Sequence, residues 1–103
     1  MRGVLSLCVL RVVADGPTYG YAIAARLAGA GLGTVKGGTL YPILTRLETE
    51  GLVSSAWEAG DGGPGRKFFT LTPAGGRALG ERTEQWHVFT ERAAGLLSTP
   101  VPS

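Results

Sequence analysis

The apolar residues of this chain fall into blocks with different periods. In the first block, about Gly3 to Ala14, Val4, Leu5, Leu7, Cys8, Val12 and Val13 spread over one broad helical face. Asp15, Gly16 and Pro17 end it. Thr18 is placed to cap a second helix, in which Tyr19, Ile23 and Leu27 recur at steps of four and so point one way. That helix should stop near "GAGLG", where Gly29 and Gly31 offer left-handed positions. A third stripe, Leu40, Ile43, Leu44 and Leu47, has the i, i+3, i+4, i+7 spacing of a buried helix face, with Gly51 placed to terminate it. Then the period changes to two. "LVSSAWE" puts Val53, Ser55 and Trp57 on one side, and "RKFFTLT" does the same for Lys67, Phe69 and Leu71, with the glycine-rich turn "AGDGGPG" between them. Thr72 followed by Pro73 pairs a capping hydroxyl with a proline at the first helical position, so a long helix should follow. In it, Leu79, Trp86 and Ala93 are spaced by seven, with Phe89 and Leu96 between; this is a coiled-coil-like seam that Arg82 interrupts.

The order of elements is therefore helix, helix, helix, hairpin, long helix. This predicts a mainly α chain with a small β-hairpin, a winged helix-turn-helix plus a long C-terminal helix, an arrangement that presents one helix to a DNA major groove. The expected division is a winged-helix domain over residues 1–72 with its hairpin wing at about 53–72, a dimerisation helix over 73–97, and a frayed tail over 98–103.

Composition narrows the function classes. A length of 103 residues gives one domain, and 44% apolar against 17% charged residues argues against a disordered chain. The apolar runs fall short of a membrane span, so no membrane partner is expected. "MRGVLSLCVLRVV" has some signal-peptide character, but no small-residue cleavage site follows; it is read as the first helix and the protein as cytoplasmic. Cys8 is the only cysteine and His87 the only histidine, which leaves no disulfide within the chain, no cysteine-based metal site and no signature of nucleophilic catalysis. The chain is expected to be no enzyme and to use no cofactor or metal. A net charge of +2 points only weakly to nucleic acid, so the placement of the charges matters more.

That placement centres on "GGTLYPILTRLETEGLV". Pro42 lacks the N–H that an interior helical position needs, which puts it in about the first turn and the helix start near Gly38 or Thr39. Amides at such a start carry the positive end of the helix dipole, and glycines let a phosphate approach them. With the leucine stripe turned inward, the outward face presents Thr39, Tyr41, Pro42, Thr45, Arg46 and Thr49 to base edges and sugars, while Glu48 and Glu50 lie at the far end. Lys36 before the helix, and Arg66 with Lys67 after the hairpin tip, flank it with positive charge. From the residues alone an alternative stands: a winged-helix module that binds a protein and not DNA, with Tyr41 a partly buried ring and Arg66 and Lys67 solvated strand residues.

With "GPTYGYAIAARL" before that stretch and "GRKFFTLTPAG" after it, the sequence closely resembles the PadR family of bacterial transcriptional regulators, over about Leu5 to Phe89. The short single-helix C-terminus looks like the compact subgroup of that family. The resemblance implies a repressor that binds a two-fold symmetric operator in double-stranded DNA as a homodimer joined through its last and first helices. It implies DNA contacts from Gly38, Thr39 and Tyr41, a basic wing at Arg66 and Lys67, and a backbone contact from Tyr19, where the family often has histidine. Lys36 and Gly37 stand where the family commonly has a small hydroxyl residue and proline, so a side-chain cap is lost. Phe69 replaces a frequent tyrosine.

The resemblance also implies a dimer interface formed by Val4, Leu5, Cys8, Leu79, Trp86, Phe89, Ala93 and Leu96. For Trp86 two readings stand. It is either part of that dimer core or the stacking surface for a small aromatic effector, as a matching tryptophan is in some similar regulators. Cys8 is read as a buried small hydrophobe and His87 as a surface residue.

Overall fold

The structure, a computed structural model, describes residues 2–60 and 63–102, with backbone alone for Arg2 and Pro64. Asp61 and Gly62, in the expected hairpin turn, lie outside the described residues. Among the described residues, four helices and a three-stranded antiparallel sheet follow in the order α1 (Arg2–Val13), β1 (Thr18–Tyr19), α2 (Gly20–Gly29), α3 (Gly37–Thr49), β2 (Val53–Gly60), β3 (Gly63–Leu71) and α4 (Pro73–Leu97).

Helix α1 is the centre of the body and touches α2, α3, α4 and β3. A helix so surrounded is apolar on more than one side. Val9 and Leu10, outside the expected face, are therefore fully buried along with Val13, with Val12 buried beside them, whereas Leu5 and Cys8 pack on the core while half-buried. From the other elements the core takes Ile23 and Leu27 of α2, Leu40, Leu44 and Leu47 of α3, Leu52, Val53 and Phe69. The leucine stripe of α3 faces inward as its spacing predicts, with Ile43 half-buried at its edge.

Helices α2 and α3 end in the same way. Gly31 and Gly51 take φ of 85° and 76°, and the next amide reaches back across the turn: Leu32 N–H to the Leu27 carbonyl at 3.0 Å, Leu52 N–H to the Leu47 carbonyl at 2.9 Å. Both are Schellman closures, in which glycine meets no Cβ penalty at the left-handed residue. Gly29 is still helical and needs no such conformation. At the end of α1, Asp15 accepts hydrogen bonds from Arg11 at 2.7 Å and from Arg26, in the last turn of α2, at 2.9 Å. These guanidinium groups hold the Asp15 carboxyl below its usual range.

The start of α2 differs from the sequence expectation. Thr18 does not cap it; Thr18 and Tyr19 form strand β1, pairing with Phe69 and Phe68 of β3, and Tyr19 occupies the cap position without a side-chain hydrogen bond. Two residues are too few to leave a period in the sequence. Strand β3 is thus the centre of the sheet, in the order β1-β3-β2. The β2/β3 hairpin pairs Val53 with Leu71, Ser55 with Phe69 and Trp57 with Lys67, and continues to Gly60 and Gly63 past an irregularity near Glu58. The strands therefore run further into the glycine-rich segment than expected.

Thr72 caps α4 as its sequence predicts, its hydroxyl oxygen accepting from the Gly75 N–H at 3.0 Å with Pro73 in the first turn. Ala74, Ala78 and Leu79 hold the first turns against the body. Beyond them α4 projects, giving a molecule of 66 × 28 × 20 Å in which Leu96 and Leu97 are 75% and 82% exposed.

Candidate nucleic-acid interface

Helix α3 starts at Gly37, earlier than Pro42 suggests. Lys36 is its cap residue and makes no side-chain cap bond; its carbonyl accepts from the Thr39 and Leu40 amides, each at 2.9 Å. Pro42 is then the sixth helical residue and sits in the second turn, where its ring cannot donate to the Gly38 carbonyl. Pro42 thus lies a turn deeper in α3 than its missing N–H predicts. The front of the helix keeps its bare character, because Gly37 and Gly38 are exposed and head the helix where no preceding turn supplies acceptors for their amides. The exposed side of α3 carries Thr39, Tyr41, Pro42, Thr45, Arg46 and Thr49, and from Tyr41 to Glu50 that side forms one shallow hollow.

The wing lies beside this helix, and its two basic residues face opposite ways. Arg66 stacks over the Tyr19 ring, 4.6 Å from its centroid, and Tyr19 in turn meets Phe68 edge-on at 5.3 Å. Lys67 projects from the other face, 3.6 Å from the Glu48 carboxylate, which also accepts the Ser55 hydroxyl hydrogen bond. Glu48 therefore ties α3 to both strands of the wing. The sequence reading gave Glu48 no part beyond its distance from the duplex and treated Arg66 and Lys67 as one basic cluster. Only strand alternation could have separated the pair. The Lys67–Glu48 pair is partly exposed, so it contributes at most about 1 kcal/mol and acts mainly on orientation. Trp57, next to Lys67 across the ladder, is 72% exposed.

A second concave surface lies between α1, α3 and α4. Val4 and Leu7 of α1, Arg46 and Glu50 of α3, and Arg82, Trp86 and Phe89 of α4 line a groove of about 420 Å³. Trp86 and Phe89 stack at 6.0 Å with their planes 30° apart. Arg82, the residue that breaks the heptad seam, turns to Glu50 at 3.3 Å. Among the residues expected at a dimer interface, Val4, Trp86 and Phe89 share this groove, Leu5, Cys8 and Leu79 pack on the chain's own core, and Ala93 and Leu96 lie further along α4. His87 is exposed. Among the described residues no group of three or more His, Cys, Asp and Glu could hold a metal, and no helix is long and apolar enough to cross a membrane.

A helix-turn-helix whose second helix is headed by bare amides, followed by a wing carrying an arginine, defines the class of winged-helix DNA-binding regulators. Comparison with known proteins narrows the class. The model of the PadR-like family of transcriptional regulators matches residues 9–81, and the chain belongs to that family. A transcriptional regulator of Mycobacterium tuberculosis is 39% identical over 80 residues, covering 78% of this chain and 73% of its own. The crystal structure of a PadR family transcriptional regulator from Eggerthella lenta superposes with a TM-score of 0.86 at 39% identity, over 96% of this chain and 86% of that one. A PadR-like transcriptional regulator from Bacillus cereus gives 0.82 at 31% identity, over 95% of both chains.

Proposed function

We propose that the protein is a cytoplasmic repressor that binds a two-fold symmetric operator as a homodimer. Residues 1–72 read DNA and α4 joins the two copies. The observation that carries this reading is the separation of two unlike surfaces: a polar, glycine-fronted face on α3 beside the wing, and an apolar stripe on α4 beyond the body. In the first, the Gly38 amide and Lys36 meet phosphates at the head of the helix, and Thr39, Tyr41, Pro42, Thr45 and Arg46 face the groove. Arg66, presented on the Tyr19 ring, reaches the flanking backbone. Lys67 acts through Glu48 on the angle of the wing more than through a phosphate of its own.

In the second surface, Phe89, Leu96 and Leu97 have too little cover within one chain, and a second copy of α4 supplies it. Trp86 belongs to this dimer core. A flat aromatic effector entering the groove beside Trp86 would shift α4 against α1 and change the spacing of the two reading heads, which is the route by which DNA would be released.

The test is a fluorescence-polarisation titration against DNA from upstream of the protein's own gene, with random-sequence duplex as competitor at near-physiological salt. Competitor-resistant binding supports the reading. If neither that DNA nor any duplex selected from a random pool is held better than the competitor, the operator-binding reading fails.

A further inference from the structure

Tyr41 is only 51% exposed, and its ring lies in a slot between two glycines on different helices. Gly20 is the first residue of α2 and is buried. A Cβ built on it would collide with the Tyr41 hydroxyl and stand 2.8 Å from Cζ. On the other flank, a Cβ on Gly37 would meet Cδ2 and Cε2 of the same ring at 3.5 and 3.6 Å, ordinary contact distances. The ring thus lies close along the start of α3 with its hydroxyl end against the start of α2, and the side-chain space that Gly20 leaves empty is what admits it.

We propose that Gly20 is a positioning residue for DNA recognition, fixing the Tyr41 side chain in its DNA-facing orientation before DNA arrives. The inference rests on the reading that Tyr41 meets DNA. A side chain held in advance does not lose its rotamer freedom on binding, a loss that otherwise weakens association. Alanine at Gly20 would expel the ring, which is half in solvent and free to swing out. The backbone tolerates the change: Gly20 is not among the glycines with positive φ, and alanine is the better helix former. Folding and recognition therefore separate at this position.

The experiment is a double-mutant cycle over Gly20→Ala and Tyr41→Ala. Its readouts are affinity for a duplex selected from a random-sequence pool by the wild-type protein, and thermal unfolding of each variant. Expected are a loss of about tenfold in affinity for Gly20→Ala, equivalent to about 1.4 kcal/mol, an unfolding temperature no lower than wild type, and a double variant no weaker than Tyr41→Ala alone. If Gly20→Ala weakens binding by the same factor with and without Tyr41, or leaves affinity intact while Tyr41→Ala weakens it, the positioning role is overturned and the Tyr41 contact stands. A Tyr41→Ala variant that binds like wild type removes the contact and the inference together. A Gly20→Ala chain that unfolds and is rescued by Tyr41→Ala also overturns the proposal, since the slot would then be part of the core.

Discussion

Replacing Gly75 with alanine adds one methyl group where α4 has no room for it. A Cβ there would run into the Leu52 carbonyl oxygen and lie 2.9 Å from the carbonyl carbon and 2.8 Å from Leu71 Cδ1. Leu71 can rotate its methyl away, but Leu52 is backbone, and its carbonyl already accepts the Thr72 N–H at 3.1 Å. The first turn of α4 must therefore lift from the body by about 1 Å or more, an overpacking that costs about 1–3 kcal/mol. Gly80 provides the internal control. It lies in the same helix with nothing within 4 Å of its added Cβ, so alanine there should stabilise by about 0.5–1 kcal/mol through helix propensity alone. The two substitutions are chemically identical and should move stability in opposite directions, separated by about 1.5–4 kcal/mol, or about 6 °C or more in Tm for a domain of this size. Thermal denaturation at one fixed protomer concentration reads the difference without a contribution from mass action. A Gly75→Ala variant that melts at or above Gly80→Ala would refute the close-approach argument.

Other expectations follow from the charges and from α4. Arg66→Ala should flatten the dependence of DNA affinity on salt by about two units of log–log slope per dimer, one phosphate on each side, whereas Lys67→Ala should leave the slope nearly unchanged; equal slopes for the two variants would contradict the division of roles. Asp15 has a carboxyl held down by Arg11 and Arg26, so its stabilising contribution is present above its ordinary value of 3.8 and is lost as pH falls through the lower folded value. Asp15→Asn should accordingly lose less stability than wild type in acid titrations through that window, as followed by circular dichroism. Leu96→Glu should sediment as a monomer at concentrations where wild type is a dimer, with the melting of the body nearly unchanged.

Much of this architecture was legible because its signals are periodic or depend on single residue types. The leucine stripe of α3, the Thr72–Pro73 start of α4 and the Gly51 stop each carry a local reason that the fold does not override. What the sequence hid is relational. Strand β1 is two residues long and exists only because β3 offers it an edge. The opposite facing of Arg66 and Lys67 follows from alternation, but their partners, Tyr19 and Glu48, are distant in the chain. Pro42 misled the reading of the helix start because a proline in the second turn is tolerated where an exposed front end can leave the Gly38 carbonyl without its helical donor. The slot that holds Tyr41 could not be read at all, since Gly20 and Gly37 belong to different helices and are two among the 17 glycines of the chain.

Because α4 projects beyond the body, the exposed leucines proposed to join two copies, Leu96 and Leu97, lie away from the face of α3 proposed to read DNA. In a dimer built this way, a chain with a ruined α3 still pairs with a sound one and takes it out of service, since one reading head cannot hold a two-headed site. In a cell carrying both alleles, lesions in the DNA face are then dominant. Lesions that abolish pairing through α4 are recessive, because the damaged chain never meets the sound one.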